Sequence, residues 1–213
     1  MNNLSHLETE KIYSEMDFSE LDRLLEKFGR KLYFDKGVTL QPKNGEVLVI
    51  IEGRMSISNG LKEGLMLGHT FLYMPVGIPE RYYNLPLYYR AESPVKAVQL
   101  TSEEADEVFF STPERAILFS KIMAFICATL VHVYYERNND SGYATIREML
   151  QRYMFKVEND TIGSESIAAF ILARTRLSRS YVFQILAGLK SGGYISVRKG
   201  RLISINRDIP ERF

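Results

Sequence analysis

The 213-residue sequence predicts an α+β fold in three parts: a strand-rich N-terminal half, a long apolar helix, and a small helical C-terminal part closed by a hairpin. Three observations carry this. Residues 31–100 break into short runs separated by turn pairs, residues 111–138 read as one helix that is apolar on more than one side, and residues 139–213 alternate short helices before two strands around a basic tip. The expected boundaries are therefore 1–110, 111–138 and 139–213. With 46% hydrophobic residues the chain can bury a core in each half.

Taken in order, residues 7–29 form a helical lead-in, with Phe18, Leu21, Leu24, Leu25 and Phe28 at three- and four-residue spacings. Strands follow at 47–52, 55–58, 64–67 and 95–100, punctuated by Lys36-Gly37, Asn44-Gly45, Glu52-Gly53 and Asn59-Gly60. Such spacing predicts an antiparallel barrel, sandwich or roll. Thr112 then caps a helix that opens with Pro113 and Glu114, a proline and a carboxylate suited to a helix start. Along it Phe119, Ile122, Ile126, Thr129 and Val133 alternate three and four apart, and a helix needing cover on two sides predicts packing on its own domain and on a second copy, hence a homodimer. Residues 116–135 have the length of a membrane span, but Lys121 and His132 leave an uninterrupted apolar run of only 122–131, short of the roughly 20 residues a span needs. Asn138-Asn139-Asp140-Ser141-Gly142 is the expected hinge, followed by a helix over 143–157, a turn at 159–164, two more helices and the hairpin.

Composition removes several function classes. Cys127 is the only cysteine, so one chain can build neither a disulfide nor a cysteine-held cluster, and His6, His69 and His132 lack metal-ligand spacing. We expect no metal and no cofactor. Paired catalytic carboxylates, a nucleophile beside a base and a Gly-rich phosphate loop are not seen, so an enzyme ranks below a binding protein. The polar start of the chain lacks the features of a secretory signal, and a cytoplasmic location is expected.

Charge separates the two ends. Residues 1–138 hold 15 Lys and Arg against 19 Asp and Glu, net −4, whereas 139–213 hold 12 against 7, net +5. Residues 170–207 carry eight basic side chains and no acid, the footprint of a nucleic-acid face or of a solvated basic surface. Pattern decides between them. After Ser178, a plausible N-cap, Val182, Ile185, Leu186 and Leu189 share one helical face, while Ser180, Gln184, Ala187 and Ser191 share the other, with Phe183 at its flank and Arg179 at its amino end. Small and polar groups with one cation suit a helix seated in a major groove. The segment 168–175 is a short apolar helix joined to it by the turn Arg176-Leu177-Ser178, and the hairpin's Arg198, Lys199 and Arg201 form a basic wing able to reach phosphates or the minor groove. We therefore expect Arg176, Ser178, Arg179, Ser180, Phe183, Gln184, Arg198, Lys199 and Arg201 to meet double-stranded DNA.

Helix, turn, Ser-Arg-led helix and wing together resemble the DNA-binding domain of the Crp/Fnr superfamily of transcription regulators. The resemblance implies that Arg179 is the base-reading arginine, while Ser180 and Gln184 stand at the other base-reading positions with different residue types, so the operator should differ from the usual one. Arg176 stands where a small residue or glycine is common. Residues 46–58, EVLVIIEGRMSIS, with Gly53 in the turn and Gly68 in a later one, are similar to a cyclic-nucleotide-binding β-roll, so the resemblance covers nearly the whole chain. It implies a β-roll sensor, a dimerisation helix and a C-terminal winged helix-turn-helix, with RNA polymerase as a further partner. Anchored on Tyr89-Arg90-Ala91 and Gly68, the family's Gly-Glu pair falls on Leu72-Tyr73 and its Arg-Ser pair on Leu85-Pro86. Leu85 and Pro86 supply no cation for a buried phosphate, so cyclic-nucleotide sensing by the usual cassette is not expected. Within that superfamily the sequence resembles an enterobacterial type of regulator, which implies a link to oxidative-stress resistance.

What replaces the cassette is apolar. Residues 71–89 crowd aromatic and aliphatic side chains together, and with the family's helix beside them Phe71, Leu72, Tyr73, Tyr83, Leu85, Tyr88, Ile122, Met123 and Ile126 are expected to line a pocket for a fatty acid or similar apolar molecule, its carboxylate met by Arg81 or Arg90. Core packing of the same residues is the competing expectation. The competing function is a ligand- or protein-binding module whose DNA binding is vestigial.

Overall fold

The computed structural model describes residues 6–43, 45–61, 64–83, 85–137, 141–158 and 162–212. Most of the expected hinge at 138–142, Asn44 of one expected turn and the first part of the turn at 159–164 fall outside them. The chain forms two compact units, 1–131 and 132–213.

The first unit opens with α1 (His6–Ser14) and α2 (Ser19–Phe28), so the expected single lead-in is two helices. Asp17 makes the break, its carboxylate accepting from the Ser19 N–H at 2.9 Å. Leu21, Leu24 and Leu25 of α2 are buried. Eight strands follow: β1 (Arg30–Phe34), β2 (Thr39–Leu40), β3 (Val47–Glu52), β4 (Met55–Ser58), β5 (Met66–His69), β6 (Pro75–Val76), β7 (Tyr88–Ala91) and β8 (Val95–Leu100). They pair antiparallel in two sheets, ordered β1-β8-β3-β6 and β2-β7-β4-β5, which is the expected roll. Gly53 turns β3 into β4 at φ +83°, and a Cβ there would lie 2.2 Å from the Pro94 carbonyl oxygen. β5 sits two residues later than expected.

Two short helices interrupt and close the roll, α3 (Ile78–Tyr82) and α4 (Ser102–Phe110). The α4 start is a capping box in which Thr101 accepts from the Glu104 N–H and the Glu104 carboxylate accepts from the Thr101 N–H. Then comes α5 (Pro113–Arg137), with Thr112 Oγ1 accepting from the Arg115 N–H. Arg115 ties its first turn to Glu20 of α2 and Glu107 of α4. Ile122 is buried, and Leu118, Phe119, Phe125 and Ile126 pack on the roll's core.

The second unit holds α6 (Gly142–Glu158), α7 (Ile167–Arg174), α8 (Arg179–Ser191) and the hairpin β9 (Ile195–Arg198) and β10 (Arg201–Ile205). Its core joins Ile146, Met149, Leu150 and Tyr153 of α6 to Phe170 and Ile171 of α7 and Val182, Ile185 and Leu189 of α8. Gly142 lets α6 approach α8 closely: a Cβ there would meet the Tyr181 ring at 2.8 Å and Leu177 at 3.0 Å.

Candidate nucleic-acid interface

The α8 helix starts where the sequence puts it. Ser178 Oγ accepts from the Tyr181 N–H at 3.3 Å, and the next residue, Arg179, is the first of the helix. Val182, Ile185, Leu186 and Leu189 are buried, which turns the opposite side outward. Arg179, Ser180, Phe183, Gln184, Ala187 and Lys190 are all exposed, Phe183 by 50%. Ser178 and Ser180 share a hydroxyl hydrogen bond of 3.2 Å at the amino end.

The turn before α8 is built by Thr175, which is buried and donates to the Ile171 carbonyl at 2.9 Å while accepting from the Leu177 N–H. Arg176 projects into solvent beyond it. No glycine is required there, because Thr175 is in the extended region and its hydroxyl, rather than a left-handed residue, closes the α7 end.

The hairpin turns at Lys199 and Gly200, both at positive φ, +50° and +78°, which is the two-residue turn that matches strand twist. Arg198, Lys199 and Arg201 are exposed around it. Its tip is braced by the Ile167 N–H, which donates to the Gly200 carbonyl at 2.9 Å. Its base is braced by Asn206, whose amide nitrogen donates to Gly193 O and Ser196 Oγ and whose oxygen accepts from Ser196 and Ser204.

Two of the eight basic side chains in 170–207 brace the unit itself, Arg174 from inside and Arg207 from an exposed position. Arg174 is buried, pairs with Glu165 at 2.9 Å, donates to the Phe170 carbonyl at 3.0 Å and lies over the Phe170 ring at 3.8 Å. Arg207 lies 4.0 Å over the Tyr194 ring and donates to the Gly192 carbonyl. Arg176, Arg179, Lys190, Arg198, Lys199 and Arg201 remain at the surface. Arg174, Thr175 and Asn206 are the functional supports that sequence pattern missed, and only the long-range pairing with Glu165 identifies the first.

In the first unit the expected ligand residues divide. Phe71, Ile122 and Ile126 pack within the core, whereas Leu72, Tyr83 and Leu85 are exposed by 49%, 70% and 37%. Tyr73, Tyr88 and Met123 are partly exposed. Arg81 is paired with Asp106 at 2.9 Å, which raises its pKa, and Arg90 is exposed. Tyr13 packs against Phe71 and Phe125, which also touch each other, and its ring stacks on Phe125 with centroids 4.2 Å apart. A surface groove of about 400 Å³ lies elsewhere, between residues 15–20 and the start of α5. Among the described residues no group of three or more His, Cys, Asp or Glu is placed to hold a metal ion.

Comparison with known proteins follows the same division. Residues 142–211 match a family described as Winged helix-turn-helix DNA binding. The chain is 28% identical over 200 residues to the Inhibitor of hydrogen peroxide resistance of Salmonella typhimurium, covering 90% of this chain and 93% of that one. It is 25% identical over 209 residues to the protein of the same description in Escherichia coli K12, at the same coverages. Among solved structures it superposes on a putative transcriptional regulator of the Crp/Fnr family from Eubacterium rectale with a TM-score of 0.66 at 11% identity, covering 92% of this chain and 93% of that one. It superposes on the c-di-GMP responsive global regulator CLP of Xanthomonas campestris with a TM-score of 0.67 at 13% identity, covering 90% and 100%.

Proposed function

Taking the chain as a Crp/Fnr-like transcription regulator with a winged helix-turn-helix DNA-binding domain, we propose that it acts as a homodimer reading two half-sites about one DNA turn apart. The exposed face of α8 carries the proposal. Arg179 suits a bidentate contact to guanine and Gln184 one to adenine, Phe183 suits a thymine methyl, and Arg176 and the wing's Arg198, Lys199 and Arg201 suit phosphates. Ser178 and Ser180 add hydroxyls at the helix start, where backbone N–H groups favour an anion.

Dimerisation is proposed through α5. Its window 113–135 has the length and hydropathy of a membrane span, yet Ile117, Ser120, Ala124, Cys127 and Val131 form one exposed stripe whose small central residues allow a second helix to approach. A soluble dimer in the cytoplasm accounts for that stripe without a bilayer. Ile126, in contrast, faces the roll's own core, so the self-association surface is a different face from the one sequence periodicity singles out.

The two relatives described as inhibitors of hydrogen peroxide resistance support a role for this chain in the oxidative-stress response. Contact with RNA polymerase and control by a small apolar molecule belong to the same reading. Phe71, Ile122 and Ile126 favour a compact ligand over a long acyl chain, because Leu72, Tyr83 and Leu85 lie at the surface. Fluorescence anisotropy on DNA from the gene's own upstream region tests the DNA reading. Affinity should fall steeply with salt, and the response should be retained by residues 139–213 only in weaker, monomeric form. Salt-independent or absent binding would instead favour the protein-contact module.

A further inference from the structure

We propose that Tyr153 is a positioning residue for DNA binding: its hydroxyl holds the guanidinium of Arg201 aimed at one phosphate before DNA arrives. This rests on the DNA reading above and adds to it a residue whose ring lies out of reach of any duplex. Tyr153 belongs to α6, and its ring is fully buried, edge-on to Phe170 at 5.3 Å. The hydroxyl donates to the Glu165 carbonyl at 2.6 Å, which leaves the oxygen's lone pairs for another donor. Arg201 is that donor. Burial raises the Tyr153 pKa, and the guanidinium hydrogen-bonded to the same oxygen works against the rise.

The backbone beside Arg201 is fixed independently. The Gly200 carbonyl accepts from the Ile167 N–H at 2.9 Å, and a Cβ on Gly200 would lie 3.3 Å from the Ser166 Cβ. Ser166 caps α7 by accepting from the Ala169 N–H at 3.2 Å, and Glu165 pairs with Arg174 at 2.9 Å. With the turn anchored on residues 165–167, the side chain of Arg201 is what remains to be placed. The charge around it points to an anion. Arg198 and Arg201 stand directly opposite in the hairpin with Lys199 in the turn between them, and like charges so placed repel. A phosphate at this end of the hairpin relieves that repulsion. Among the described residues the side chains of Arg198 and Lys199 have no hydrogen bond or ion pair, so one hairpin carries a held arginine and a loose one. The held one binds tighter, because ordering its rotatable bonds no longer opposes association.

A double-mutant cycle on the full chain tests this, with affinity for a fluorescent duplex of mixed sequence measured across salt, below the melting range of every variant. Arg201→Ala should lower the salt slope by about 1. Tyr153→Phe should weaken binding about 2- to 10-fold in the native background, the cost of ordering one long side chain, and no further in the Arg201→Ala background. A tyrosine that only supports the fold weakens DNA equally in both backgrounds, and that result overturns the proposal. Guanidinium NMR of the native chain without DNA is the second measurement, and it decides alone if Tyr153→Phe does not fold. Rotation of the Arg201 guanidinium should be slow and that of Arg198 fast; equal averaging of the two overturns the contact. A native chain that binds no duplex overturns the DNA reading and this role with it, and slow Arg201 rotation then places the failure outside the Tyr153 contact.

Discussion

The C-terminal unit and the N-terminal roll put their candidate sites together in opposite ways. In residues 179–191 inside and outside follow helical spacing, so a few neighbouring residues decide that Val182 is buried and Gln184 exposed. In the roll, one aromatic cluster that fills part of the expected ligand region draws Tyr13, Phe71 and Phe125 from separate parts of the chain, and the hydrogen bond that fastens it joins residues 59 apart. Surfaces built on a single helix are therefore exposed by local periodicity. Cavities are decided by whichever distant side chain arrives to fill them.

The largest expected effect breaks the apparent uniformity of the basic segment. Arg174→Ala removes the partner of Glu165 and a cation from the Phe170 ring, and should destabilise the second unit by roughly 2–4 kcal/mol, lowering its melting temperature and abolishing DNA binding through unfolding. Arg179→Ala should melt as the native chain does and lose about 5- to 150-fold in specific affinity, equivalent to roughly 1–3 kcal/mol. A normal melting curve for Arg174→Ala would return that residue to the DNA face.

The next effect sharpens the division along α5. Val131→Glu, at a position 53% exposed, should convert the dimer to monomer in sedimentation at micromolar concentration without lowering the melting temperature. Ile126→Glu should lower both, since Ile126 packs against both core clusters of the roll. A dimeric Val131→Glu would remove α5's exposed stripe as the interface.

Alkaline pH reaches the roll through Tyr73. Burial, with the Asp22 carboxylate beside it, pushes the Tyr73 hydroxyl up to about 12 from an ordinary value of 10. A folded value above the unfolded one gives stability that is whole below pH 10 and is lost between about 10 and 12. Tyr73→Phe should flatten that part of the pH–stability curve, and an unchanged slope would contradict the assignment.

Much of this was legible in the residues themselves, for stated reasons. Thr112, Ser178 and Gly53 mark real boundaries because caps and turns are local chemistry. Thr101 and Glu104 carry the same kind of signal for α4, a segment to which the sequence reading assigned no element. The face of α5 was ambiguous because apolar residues lie on both sides, and only the packing of Ile122 and Ile126 on the roll separates inner from outer. Leu72, Tyr83 and Leu85 looked like lining because hydrophobic side chains do not announce whether a loop carries them outward.

The smallest effect concerns the wing. Lys199→Ala keeps the residue's left-handed backbone demand but removes its charge, so it should weaken all DNA similarly and lower the salt slope by about 1. A change in sequence preference instead would make the wing a reader of bases.

The central claim is that α8 reads base edges in a two-fold arrangement. Selection of bound duplexes from a randomised pool by the full chain tests it most directly, run in parallel with Arg179→Ala. The account predicts an inverted repeat with half-site centres about one helical turn apart, and a loss of preference at one position per half-site in the variant. Enrichment of no sequence by the native chain at moderate salt, or an identical motif from Arg179→Ala, would contradict it.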